Sequence, residues 1–158
     1  MWLNISKINS IWFFDATGLI HRQINRQPKP FFYSICSHDT QKEIIVPVAE
    51  FVTTSNDQIS IGNYLRELKM KLEIGTSKNV LPRIIVTDMG WALINAIMQV
   101  FNNCDMTGYL EWCSDYLFFD EKTSAEMTIY YTCSTHFLKN MIRKAKSKFL
   151  YTQMRRNA

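Results

Sequence analysis

The run Arg83-Ile84-Ile85-Val86-Thr87 constrains this chain more than any other segment. It follows Pro82, ends in Asp88, and shows no alternation of apolar and polar residues. β-Branched side chains favour extended backbone. An unbroken apolar run of this kind is typical of a strand buried on both faces. A chain that contains such a strand needs other strands beside it and helices to cover it.

The flanking sequence supplies both. Three apolar runs precede it, Ile11–Phe14, Phe31–Cys36 and Ile44–Val52. Short polar connections join them, the first with Pro28 and Pro30, so they read as an antiparallel meander. Pro47 lies inside the third run, and a proline cannot donate to a ladder, which predicts that this strand sits at a sheet edge. The period then changes. Ile61, Tyr64, Leu65, Leu68 and Leu72 recur at helical spacing, with Ser60 as the expected N-cap and Gly75 as the expected stop. Trp91, Leu93, Ile94, Ile97, Met98 and Phe101 predict a second helix, ended by Asn102 and Asn103. Tyr109–Phe118 predicts a short third helix, and Met127–Thr132 a fifth strand. Phe137, Met141, Ala145 and Phe149 line one face of a last helix. The order predicts an α/β domain: a ribonuclease H-like mixed five-stranded sheet, order 3-2-1-4-5, flanked by helices. The chain of 158 residues fits one such domain, with a core from about residue 11 to about 148.

Composition excludes several classes. With 47% hydrophobic and 20% charged residues the chain is globular rather than disordered. Its longest uncharged stretch, Met89–Cys104, is too short and too polar to span a bilayer, so no membrane partner is expected. No secretory leader is recognisable, since Asp15 interrupts the early apolar run. The four cysteines are then expected to be reduced thiols of a nuclear or cytoplasmic protein, not a secreted one.

Two acids stand out. Asp15 follows Trp12-Phe13-Phe14, and Asp88 follows Ile84-Ile85-Val86-Thr87. A buried carboxylate without a partner costs several kcal/mol, so each must reach solvent, a helix N-terminus or a cation. If their strands are parallel neighbours, the backbones lie about 4.8 Å apart. The two carboxylates can then share one hard divalent cation, Mg²⁺ or Mn²⁺. The residues alone leave other roles open: Asp88 as the N-cap of the following helix, and Asp15 as a turn residue ahead of Gly18.

Cys133-Ser134-Thr135-His136 opens the last helix. Cys and His are zinc ligands, but a closed structural site takes four, and the only other pair at close spacing is Cys36 and His38. Tightly held zinc is therefore not expected. Cys133 as a packed thiol, and His136 as a group near the carboxylate crevice able to bond a phosphate, remain open. The last helix is also the most basic segment. From Phe137 onward there are seven Lys and Arg residues and no acid, whereas Cys104–Glu126 holds six acids and one base. Lys139, Arg143 and Lys146 share one helix face and are candidate contacts to DNA phosphates. A merely solvated face is the alternative.

Four segments together resemble a known family: Trp12-Phe13-Phe14-Asp15-Ala16-Thr17-Gly18, Val48-Ala49-Glu50-Phe51-Val52-Thr53, Ile85-Val86-Thr87-Asp88 and Cys133-Ser134-Thr135-His136-Phe137-Leu138-Lys139-Asn140. In this order they resemble the catalytic core of DDE transposases, most closely the Mutator-like (MULE) group and its domesticated relatives. The resemblance implies a ribonuclease H-like fold with Asp15 and Asp88 as the first two catalytic acids. It implies that Cys133 and His136 are the C-x-x-H that lies between the second and third acids of this group. The chemistry implied is DNA cleavage and strand transfer by two ions about 3.5–4 Å apart. The departure is equally plain. After His136 the chain contains neither Asp nor Glu, so the family's third acid is missing. Glu50 and Glu126 are the nearest substitutes, though neither stands at the family's position. The chain thus reads as a truncated core, expected to be inactive. The rival expectation is a non-catalytic module that binds DNA or protein and whose aspartates are structural.

Overall fold

The computed structural model describes residues 10–17, 26, 28–39, 42–75, 81–118 and 127–156. The strands are β1 (Ile11–Thr17), β2 (Phe31–Asp39), β3 (Ile44–Thr53), β4 (Ile84–Thr87) and β5 (Ile129–Thr132). The α-helices are α1 (Gln58–Gly75), α2 (Trp91–Ile97), α3 (Met106–Phe118) and α4 (Ser134–Arg156), and a π-helical turn, Met98–Asn102, extends α2. The strands form one mixed sheet in the order β3-β2-β1-β4-β5. β1 is antiparallel to β2, β2 to β3, and β1–β4 and β4–β5 are parallel. This is the predicted α/β architecture and strand order. Pro47 lies on the edge strand β3, beside a register irregularity at Ile35/Cys36, where its missing N–H costs no interior ladder bond.

The two faces of the sheet differ. Trp12, Phe14, Tyr33, Ile35 and Ile85 form one face and are almost completely buried. Over them lie Ile61, Leu65, Leu68 and Leu72 of α1, Leu93, Ala96 and Ile97 of α2, and Val100 and Phe101 of the π turn. Each large side chain buried there contributes about 1.5–3 kcal/mol. A smaller cluster of Ile94, Met98 and Tyr109 joins α2 to α3, with Trp112 and Tyr130 packed against it. On the other face Phe13, Val52, Ile129 and Tyr131 remain about half exposed or more. The run before Asp88 is therefore not buried on both faces as predicted. Ile85 and Thr87 are buried, while Ile84 and Val86 are only partly covered. An unbroken apolar run reports a central strand, but the cover over each face depends on other elements.

Helix ends also refine the sequence reading. α1 starts earlier than expected, and its cap is Asp57 rather than Ser60. Asp57 Oδ1 accepts the Ser60 N–H at 2.9 Å, and the Ser60 hydroxyl donates to Asp57 Oδ2 at 3.0 Å. Ser60 thus sits one turn inside the helix and returns a bond to its cap. The π turn ends at Asn103, whose φ of 52° turns the chain out of the helix.

Candidate functional site

β1 does not stop at Phe14. It continues to Thr17, so Asp15 is a strand residue rather than the residue after a strand, and not part of a turn. Alternation then decides its direction. Trp12 and Phe14 enter the core, and Asp15 lies exposed on the open face with Phe13 and Thr17. Its Oδ1 accepts the Ala16 N–H at 2.8 Å.

Asp88 is the residue beyond β4. The parallel register pairs Phe14 with Thr87, its last pair, and Asp15 and Asp88 are the residues that follow these two. Asp88 is not the N-cap of α2. That position is Gly90, with no side-chain cap. Asp88 Oδ1 instead accepts the Gly90 N–H at 3.0 Å, a turn that holds the carboxylate at the carboxyl edge of the sheet. Gly90 makes this possible, since a Cβ there would lie 3.0 Å from the same oxygen. On the other side the Tyr130 hydroxyl donates to the Asp88 carbonyl at 3.2 Å and accepts from the Thr132 hydroxyl at 3.1 Å. Burial pushes the Tyr130 phenol above its ordinary pKa; the Thr132 bond opposes this, and the charge of Asp88 adds to it. Tyr33 is raised in the same way, by burial first and then by Asp88.

The register extends this pair into a row across the sheet. Asp15 pairs with Ser34, and Ser34 pairs with Glu50. Glu50 is exposed on the edge strand, two strand spacings or about 10 Å from Asp15. At the other end Cys133 follows Thr132, the partner of Thr87, and its N–H donates to the Thr87 carbonyl at 2.7 Å. Cys133 is therefore the next member of the row beyond Asp88. His136 lies one turn into α4, and its Nδ1 is buried without a hydrogen-bond partner among the described residues.

The same register separates the two Cys/His pairs. Cys36 pairs with Phe13 on β2, so three strand spacings, about 14 Å, lie between its strand and that of Cys133. One zinc cannot bridge them, since Zn–S bonds are about 2.3 Å. The Cys36 thiol lies 3.3 Å from the Ser34 hydroxyl instead. Among the described residues no three His, Cys, Asp or Glu side chains converge as a metal-binding group. Glu126 lies outside the described residues. Lys139, Arg143 and Lys146 are exposed on α4, where Arg143 donates to Asn140 Oδ1 at 3.1 Å.

Three residues of this region escape a reading of the sequence. Ser34 had a signal, as a lone small polar residue inside the run Phe31–Cys36. Gly90 had one too, two positions after an acid, where turn chemistry is common. Tyr130 had none, because its bond to residue 88 depends on strand pairing. Compared with models of known protein families the chain matches none, and no curated protein matches it. Among the described residues no helix is long and apolar enough to cross a membrane.

Proposed function

We propose that this chain is a transposase-derived ribonuclease H-like domain in which Asp15 and Asp88 form a divalent-cation site facing DNA. One observation carries the reading: Asp15 and Asp88 each follow directly on the last pair of the parallel β1–β4 ladder, Phe14 with Thr87, near the carboxyl end of an open mixed sheet. Crevices at such edges are where ligands bind in α/β sheets. The donor set fits the ion. Two carboxylates supply hard oxygen ligands, and Mg²⁺ or Mn²⁺ keeps waters for its remaining positions. Asp15 and Asp88 would hold it, and once bound it would polarise a phosphate oxygen or acidify a water. The protein's own part is to hold the acids in place. β1 pairing fixes Asp15, and Gly90 and Tyr130 fix the backbone and carboxylate of Asp88. A second ion would need a further carboxylate, and Glu50 is about 10 Å from Asp15. The purified 158-residue chain is therefore expected to bind Mn²⁺ weakly and to leave DNA uncut. Calorimetric titration with Mn²⁺ tests this: Asp15→Asn or Asp88→Asn should abolish the binding heat. Unchanged binding in both variants would refute the site, and cleavage lost in Glu50→Ala would make Glu50 the missing ligand.

A second reading makes the domain a non-catalytic binder of DNA, with the aspartates structural. The exposure of Lys139, Arg143 and Lys146 along α4 favours it. Replacing all three by Ala should reduce the salt dependence of DNA binding by about three phosphate contacts. An unchanged slope would refute it. Nuclear location accords with either reading.

A further inference from the structure

We propose that this chain self-associates through α3 and α4, the apolar stripe of α4 in one copy packing on the outer stripe of α3 in a second. This rests on neither reading of the metal site. α4 contributes no residue to either hydrophobic cluster among the described residues. Its Leu138, Met141 and Ile142 fall within one arc of the helix, and each is more than half exposed. α3 buries Tyr109 against α2, yet Leu110, Leu117 and Phe118 of the same helix are also more than half exposed. Isolated exposed apolar side chains are ordinary, but three of them within one arc of a helix, as on α4, mark an interaction surface.

Charge selects the occupant. α4 carries only bases among its charged residues, and α3 only acids, Glu111 and Asp115. Glu111 and Asp115 are four residues apart and border the α3 stripe along one side. Lys139 and Arg143, also four apart, border the α4 stripe along one side. Both pairs therefore repeat about every 6 Å along their helices. A helix with the α4 pattern matches the α3 face in apolar width and in charge spacing, and the chain supplies one in every copy. Where both contacts form at once, α4 of each copy on α3 of the other, the pair closes with twofold symmetry into a dimer. DNA competes for Lys139 and Arg143, but a phosphate backbone would leave Leu138, Met141 and Ile142 in water.

Sedimentation velocity on the full chain tests the proposal, from about 1 to about 100 µM. The wild type should reach twice the 18.6 kDa monomer mass as concentration rises. Glu111→Lys with Asp115→Lys should weaken the dimer by at least about tenfold. Adding Lys139→Glu and Arg143→Glu to that variant should restore it to within about threefold of the wild type. Met141→Asp should also give monomers, with an unchanged circular dichroism melt as proof of folding. A wild type that stays monomeric at the highest concentration overturns the proposal, and so does a dimer indifferent to these changes. A monomer that binds DNA through Lys139 and Arg143 would assign α4 to nucleic acid instead.

Discussion

Phe13 and Phe14 are neighbours in β1 yet live in different solvents. Phe14 is 1% exposed, under α1 and α2, and Phe13 is 47% exposed on the face that carries Asp15. The comparison extends to the whole sheet. One face holds Trp12, Tyr33, Ile35 and Ile85, with stacked Tyr33, Phe51 and Tyr64 at its end. The other holds the row Glu50, Ser34 and Asp15, leading to Asp88. Alternation along a strand lets seven residues of β1 serve both faces at once, one for stability and one for chemistry. Acids next to a core thus need no buried partner, provided their face stays open.

The largest expected effect tests that division directly. Phe14→Ala should cost about 3–5 kcal/mol by loss of transfer energy and a residual cavity. Phe13→Ala should cost about 1 kcal/mol, since half of its surface is already wet. Urea unfolding of the two variants measures the difference, and equal losses would mean that the open face is covered in solution.

A smaller effect belongs to the edge where the faces meet. Gly90→Ala should push Asp88 Oδ1 from its bond and weaken Mn²⁺ binding by about tenfold, with stability changed by under about 0.5 kcal/mol. A stability loss without any change in Mn²⁺ affinity would detach Gly90 from the site.

The smallest effect lies on the covered side. Bonds from Ser55 and Ser60 hold Asp57 well below the ordinary carboxylate value, at about 2. A pKa depressed by folding gives stability that is complete above the unfolded value of about 3.9 and is lost as pH falls through the folded value of about 2. The acid limb of a pH–stability curve should therefore flatten between about pH 4 and about pH 2 in Asp57→Asn. An identical limb in the variant would assign the acid sensitivity to groups other than Asp57.

Much of this was legible from residues alone because the signals were local. Period, prolines and short connections marked the elements, the connections made the first three strands a meander, and the sequence of elements matched a fold with the observed strand order. Asp88 was correctly placed at the end of its strand for the same reason. Asp57 as the cap of α1 was missed because Ser60 stood closer to the apolar pattern, although both carry capping side chains.

What the sequence by itself determined was which segments are strands and helices, in what order, and that two acids stand at strands destined for the sheet centre. Only the tertiary structure decided where those acids point and what surrounds them. Asp15 faces outward because β1 runs on to Thr17 in register with β2. Ser34 and Glu50 join its row, Tyr130 reaches the Asp88 carbonyl, and Cys36 is held three strands from Cys133. The physical reason is common to all four. Strand pairing joins residues far apart in the chain, and a slip of one residue exchanges the two faces, so register is settled by the collective fit of the core and not by any local pattern.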